Sequence, residues 1–259
     1  MASRLLRTRR RDTAQTDTPY WQQRGWRLSA GFLALTVVIG ALALSVRGVG
    51  GTTLASGDLG EAKPVLRSAV TGAAAGDGGG RRDGCRTDDR DVRPPSAAPS
   101  DINWQRIAGM KVPASPSAGP LLVSGPVWWC FARTPLGAVM AAHVVQAAIA
   151  GPGWRSVADH QLVDNSGRAF LAAQMSRMSG REVSESPLEF AGFKVLAFTS
   201  SRASVDLLLR GTSQRQLINV TVDLEWSDGD WKVVPRNNGS VSAQGSVISD
   251  ARGFVMWKV

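Results

Sequence analysis

The sequence predicts an α+β protein in which an N-terminal transmembrane helix precedes a domain of three helices packed on a four-stranded antiparallel sheet. Three observations lead to this prediction. Residues 28–46 carry no charged side chain, residues 134–179 repeat apolar side chains at helical spacing, and residues 188–235 alternate apolar and polar side chains. A chain of 259 residues is long enough for one globular domain with attached segments.

The uncharged residues 28–46 have the length of a membrane span. At about 1.5 Å per residue they form a helix of about 28 Å, close to the hydrocarbon thickness of a bilayer. Residues 1–27 form a basic tail with seven arginines and two aspartates, which we expect to stay cytoplasmic. A cleaved signal peptide is the alternative, because residues 41–43 (ALA) resemble a cleavage site.

The lipid bilayer is therefore the first predicted partner. Cations next to a span favour anionic headgroups, and amphipathic rings suit the interface. The membrane-interface residues that we predict are Arg9, Arg10, Arg11, Trp21 and Trp26. Nucleic-acid binding is not predicted from the net charge of +9, because the basic residues beyond the tail are scattered without aromatic interleaving.

Two segments separate the predicted span from the regular domain. Residues 47–84 are rich in Gly and predict a flexible linker, because they bury too little apolar surface to offset chain entropy. Residues 85–133 contain prolines that prevent a long helix and predict an extended strap. Trp128 and Trp129 end this strap, and neighbours on an extended strand point to opposite sides. They are the candidate interaction residues, with core packing as the alternative.

Cys85 and Cys130 are the only cysteines, and both follow the predicted span. In an oxidising exterior such a pair predicts one disulfide, which would stabilise the fold by about 3–4 kcal/mol. Two free buried thiols are the alternative. A metal site is not predicted, because neither cysteine has another Cys or a His at ligand spacing.

Residues 134–259 are predicted to form the regular domain. Thr134 suits the N-cap of the first helix, Pro135 suits its first position, and Gly151 ends it. The second and third helices are predicted at residues 153–163 and 168–179. The four strands are predicted at residues 188–199, 204–210, 217–226 and 231–235, with the apolar residues 253–257 docking on the domain.

The polar residues of this domain do not form a recognised catalytic motif. There is no nucleophile elbow, phosphate loop or metal-ligand spacing, so we predict no enzyme, no catalytic residue, no metal and no cofactor. His143 lies on the apolar face of the first helix, either as a core residue or as a ligand contact. Asp223 belongs to the polar face of its strand, for which solvent exposure is the default interpretation. If that face lines a cavity, the ligand candidates are His143, Asp206, Asp223 and Glu225.

Several short motifs add a resemblance. Three helices before an antiparallel sheet, with the hairpin WSDGDW at residues 226–231, resemble a nuclear-transport-factor-two-like domain, which implies a cone-like fold. PASPSAGP at 113–120, FARTPLGA at 131–138 and GFVMW at 253–257 resemble an uncharacterised family of actinobacterial single-pass membrane proteins. In that resemblance, Cys130 stands where a small residue such as Gly is expected.

The layout of tail, span and external domain also resembles bitopic assembly factors of type IV secretion and conjugation machines. The resemblance implies a non-enzymatic scaffold in the cell membrane, with the N-terminus cytoplasmic and the C-terminal domain extracytoplasmic. Its expected partners are other membrane or secretion-apparatus proteins, and a homo-oligomer stays open. The alternative function is an extracytoplasmic binding domain for a hydrophobic ligand or a cell-envelope component.

Overall fold

The computed structural model describes residues 63–65, 81–178, 186–212 and 216–258. The predicted transmembrane helix at residues 28–46 and the five predicted interface residues of the tail lie outside these ranges. Within the described part of the chain, no helix has both the length and the apolar character needed to cross a membrane.

The described elements comprise short strands, then three helices, then longer strands. The helices are α1 (Pro135–Ile149), α2 (Trp154–Gln161) and α3 (Ser166–Arg177). The strands are β1 (Lys63–Pro64), β2 (Asn103–Ile107), β3 (Met110–Ala114), β4 (Leu122–Ser124), β5 (Val127–Trp129), β6 (Leu188–Phe198), β7 (Arg202–Gly211), β8 (Leu217–Ser227), β9 (Asp230–Val233), β10 (Ser246–Ile248) and β11 (Val255–Met256).

The main sheet has six antiparallel strands in the order β10-β8-β7-β6-β11, with β9 also paired to β8. Two further sheets lie outside it, the hairpin β2-β3 and the three-stranded sheet β1-β4-β5. The predicted fold class, with three helices on one four-stranded sheet, is therefore wrong. Strands β10 and β11 contain three and two residues, too few to produce a detectable alternation of apolar and polar side chains.

Both small sheets involve segments for which the sequence predicts no regular structure. Gly109 and Gly125 have φ of 81° and 56°, so the chain turns back after β2 and again after β4 instead of running extended. Lys63–Pro64, inside the predicted linker, pairs with Val123 and Leu122 of β4. The residues of the predicted strap thus supply four strands.

Helix α1 is the centre of the core. The side chain of Thr134 accepts a hydrogen bond from Gly137 N at 3.0 Å, and Pro135 opens the helix, which confirms the predicted cap. Thirteen of its fifteen residues are buried. The sequence predicts that one face of this helix is buried. The helix is instead enclosed on all sides, as is usual for a helix that is apolar all round. It packs against the main sheet, the β2-β3 hairpin and α2.

A side chain at Gly137 would disrupt the start of α1. An added Cβ would overlap the carbonyl oxygen of Ala132. We expect Gly137→Ala to lower the free energy of unfolding by about 3 kcal/mol, although alanine favours helices by about 1 kcal/mol over glycine. Urea denaturation followed by tryptophan fluorescence measures this difference.

Gly125→Ala is the matched control for this substitution. Nothing lies within 4 Å of a Cβ at Gly125, so the change there meets only left-handed backbone strain of about 1–2 kcal/mol. A smaller loss of stability for Gly137→Ala than for Gly125→Ala would contradict the close packing described here.

Candidate functional site

Cys85 and Cys130 form a disulfide, with an S–S distance of 2.08 Å and a Cα–Cα distance of 5.4 Å. This confirms the predicted bond. Cys130 is fully buried, whereas Cys85 keeps part of its surface. The φ of Cys130 is 71°, in the left-handed region that favours glycine. This backbone conformation explains why the family resemblance leads us to expect a small residue such as Gly at position 130.

The carboxylate of Asp230 holds the chain on either side of the disulfide. It accepts hydrogen bonds from the backbone N–H groups of Cys130, Phe131 and Trp231 at 2.7, 3.0 and 3.0 Å. Asp230 as a whole residue keeps some exposed surface, but its carboxyl group lies inside. Burial raises the pKa of this carboxyl to about 6, while the three N–H donors act in the opposite direction.

A second carboxylate fixes the segment that carries Cys85. Asp89 accepts a bond from Arg81 Nη2 at 2.6 Å and one from the backbone N–H of Arg133 at 2.7 Å. The guanidinium groups of Arg81 and Arg133 lie 4.8 and 5.2 Å from the ring centre of Trp226. We call the group of Arg81, Cys85, Asp89, Cys130 and Asp230 the disulfide clamp. It ties residues 81–89 to the start of α1 and to the β8-β9 hairpin.

The motif PASPSAGP forms a loop that rests on the clamp. Ser115 Oγ donates to Asp101 Oδ2 at 2.6 Å and accepts from the backbone N–H of Ala118 at 3.1 Å. A Cβ at Gly119, which has a φ of 92°, would overlap the backbone of Cys130. The serine and the glycine of this motif therefore shape the loop and its close approach to the disulfide.

An open groove of about 460 Å³ lies between residues 88–96, this loop and the start of α1. This volume falls within the range of about 300–1,000 Å³ that is usual for ligand pockets. The groove has apolar and hydroxyl-bearing walls, which include Pro94, Pro95, Leu136, Ser96 and Ser117.

The carboxylates at the edge of the groove are paired with neighbouring arginines. Asp88 lies 2.6 Å from Arg90, and Asp91 lies 3.0 Å from Arg93. Hydrogen bonds from Arg90 lower the pKa of Asp88 to about 2, and those from Arg93 lower the pKa of Asp91. Both carboxylates are therefore ionised at neutral pH, and each has an adjacent positive charge.

His143, a predicted ligand residue, lies in the core. It is fully buried, with Nδ1 2.7 Å from Val139 O, while Trp257 Nε1 donates to its Nε2 at 3.1 Å. This pattern assigns a neutral ring with the proton on Nδ1. Burial lowers the pKa of His143 to about 4. Both ring nitrogens are thus occupied, and the bond from Trp257 joins the C-terminal segment to α1.

The three acidic ligand candidates do not meet His143. Val205, Leu207, Val222 and Leu224 pack into the core with α1, so the side chains of alternate residues point to the other face of the main sheet. On that face the carboxylates are each bonded to neighbours on the sheet or beside it. These contacts are Thr221 Oγ1 to Asp206 at 2.6 Å, Ser204 Oγ to Asp223 at 2.8 Å and Arg202 to Glu225 at 3.7 Å.

Trp128 and Trp129 are on opposite sides of β5, as their adjacency requires. Trp128 is half-buried against the main core, and Trp129 is buried in a smaller cluster with Cys130. The guanidinium of Arg82 lies 5.2 Å from the ring centre of Trp129. Both side chains thus contribute to packing, and Trp128 keeps the larger exposed surface of the two.

A family model described as a domain of unknown function, DUF8175, matches residues 66–256. The chain belongs to this family. The matched residues of the DUF8175 domain include the disulfide clamp, the PASPSAGP loop and the groove. Searches of curated proteins and of solved structures return no match to the chain.

The sequence reasoning missed Asp230, the acidic residue with the most backbone bonds in the DUF8175 domain among those described. Its place in WSDGDW predicts a turn residue, and nothing local indicates acceptance of N–H groups a hundred positions earlier in the chain. Arg81 and Asp89 were missed for the same reason. The one available indication was that Cys85 and Cys130, if bonded, bring these segments together.

The Asp230 carboxyl should make stability depend on pH. Its folded pKa of about 6 lies above the ordinary 3.8, so the folded state binds the proton more tightly between these values. Stability from this group is present below about pH 4 and is lost as the pH rises through about 6. We expect wild type to lose on the order of 1–2 kcal/mol relative to Asp230→Asn over this range, after partial solvent screening. Denaturant midpoints across the range would test this, and a difference independent of pH would contradict it.

His143 should have the opposite effect. Its folded pKa of about 4 lies below the ordinary 6.5, so stability present above pH 6.5 is lost as the pH falls towards 4. The advantage of wild type over His143→Leu should therefore shrink by about 3 kcal/mol on acidification. His160→Gln, which removes the other histidine, should retain this behaviour. An advantage that stays constant with pH would be inconsistent with a buried neutral His143.

Proposed function

We propose that the chain is a non-enzymatic binding module that acts outside the cytoplasm and engages a partner protein through the groove at the start of α1. The groove carries this proposal, because the disulfide clamp anchors Asp89 beside one wall and the Ser115 bonds shape the loop that forms another. A site that is partly fixed in advance loses less conformational entropy when a partner binds.

The ionisable groups with shifted pKa values support a non-enzymatic role, because each is bonded to other groups of the protein. Asp230 bonds backbone N–H groups, and His143 bonds Val139 and Trp257. At the edge of the groove, Asp88 and Asp91 pair with arginines. A general base needs a free lone pair that faces a site large enough for its substrate. These four side chains therefore favour structural roles.

The chemistry of the groove indicates what kind of partner segment fits it. Pro94, Pro95 and Leu136 offer apolar contacts, whereas Ser96 and Ser117 carry hydroxyl groups that can bond to a peptide backbone. The acidic side chains at the edge are balanced by neighbouring arginines. We therefore propose an uncharged peptide segment of mixed polarity as the occupant.

The disulfide supports the proposed compartment, because such bonds persist in oxidising surroundings. Placement in the cell membrane, with a cytoplasmic N-terminus, stays a prediction from residues outside the described ranges. A role in a conjugation or secretion apparatus rests on resemblance and also stays a prediction. The alternative, a hydrophobic ligand bound between His143 and Asp223, has less support because these residues lie on opposite faces of the main sheet.

Site-specific photocrosslinking in intact cells would test the groove. A crosslinker at Ser96 should capture one defined protein, and the additional change Leu136→Glu should reduce its yield about tenfold, equivalent to about 1.4 kcal/mol of binding energy. Glutamate near the N-terminus of a helix is compatible with the helix dipole, so the fold should persist.

A crosslinker at Phe170 on α3, which is 52% exposed, serves as the matched control. It should not capture the same protein. Equal capture from both positions, or a yield from Ser96 that is unaffected by Leu136→Glu, would argue against the groove as the binding surface.

A further inference from the structure

A second, much smaller cavity lies between β5, α2 and the β8-β9 hairpin. Its volume is about 20 Å³, and its walls include Trp129, Gln161 and Asp230. A site needs about 10–15 Å³ to hold one water molecule, so this cavity accommodates one water and excludes larger molecules. It is separate from the groove, with which it shares none of its lining residues.

Two of the side chains that line the cavity have an unpaired buried polar atom. Trp129 Nε1 and Gln161 Oε1 are both buried and lack a hydrogen-bond partner among the described residues. The orientation of the Gln161 amide follows from its Nε2, which donates to Trp128 O at 2.6 Å. The cavity thus combines one donor, Trp129 N–H, with one acceptor, Gln161 Oε1, and both are unfavourable when left unpaired.

Asp230 supplies a further acceptor. Its Oδ1 already accepts from Phe131 and Trp231, whereas Oδ2 accepts, among the described residues, from Cys130 alone. A carboxylate oxygen accepts about two hydrogen bonds, so Oδ2 has capacity for one more. A species that pairs with these three groups must therefore accept one hydrogen bond and donate two. An ammonium ion cannot accept and a halide cannot donate.

We propose that this cavity is a binding site for a single water molecule. The water accepts from Trp129 Nε1, donates one hydrogen to Gln161 Oε1 and donates the other to Asp230 Oδ2. Three bonds are the usual number for a buried water. The bridge joins the strand that leads into Cys130 to α2 and to the hairpin that carries Asp230, so water is a structural component beside the disulfide clamp.

Magnetisation transfer from water to the indole N–H protons tests this proposal in the full chain labelled with ¹⁵N-tryptophan. Trp129→Phe identifies the Trp129 resonance. We expect a direct cross-peak between water and the Trp129 indole proton, with the sign of a long-lived contact. Trp257 is the internal control without such a cross-peak, because its indole donates to His143 Nε2 at 3.1 Å and it does not line the cavity.

Gln161→Met removes the acceptor oxygen while keeping a side chain of similar length. The water cross-peak of Trp129 should fall several-fold in this variant, and an unchanged Trp257 resonance would show that the fold is retained. No cross-peak at Trp129 in the wild-type chain would overturn the proposal. A cross-peak of equal strength at the Trp257 indole, or a Trp129 cross-peak unaffected by Gln161→Met, would also overturn it.

Discussion

The carboxylate of Asp230 satisfies the backbone of the segment that joins the disulfide to α1. The left-handed conformation of Cys130 interrupts the strand, so its N–H and that of Phe131 need an acceptor outside any sheet. Asp230 accepts from both, and Trp231 Nε1 donates to Ala132 O at 2.9 Å. Asp230 and Trp231, which are adjacent in β9, thus bond backbone groups of the three consecutive residues 130–132. Each of these groups, if buried without a partner, would destabilise the fold by about 1–3 kcal/mol.

Two of the three motifs behind the family resemblance approach this segment, and the third bonds the middle of α1. Gly119 of PASPSAGP approaches the backbone of Cys130, and Gly137 of FARTPLGA approaches Ala132 O, so neither position has room for a side chain. Trp257 of GFVMW bonds His143 at the centre of α1. These positions are explained by close packing and hydrogen bonding. The distinctive residues of the motifs are therefore explained by their structural roles in the fold, and no reaction is needed to explain them.

Long periodic elements could be predicted from the sequence, and contacts between distant segments could not. Thr134 and Pro135 mark the start of α1 by local chemistry, and β8 alternates apolar and polar residues over the ten positions 218–227. The role of Asp230 depends on N–H groups a hundred positions away, which no local pattern encodes. His143 illustrates the limit, because its place on an apolar stripe fits either a core residue or a ligand contact. The hydrogen bonds of its two ring nitrogens, to Val139 and Trp257, identify it as a core residue.

The packing of α1 determines where this fold offers room for binding. A sheet that wraps one helix can enclose a cavity, but here α1 fills the space with apolar side chains and the hairpin β2-β3 covers it. Among the described residues, the groove of about 460 Å³ lies outside this core, beside the start of α1. The proposed partner would therefore be met at the surface, where two irregular segments adjoin α1. The clamp bonds Asp89 to Arg133, and Ser115 bonds Asp101, so each segment is anchored at one of these residues. For the proposed partner protein, the disulfide matters because it anchors the start of one wall of the groove before binding occurs.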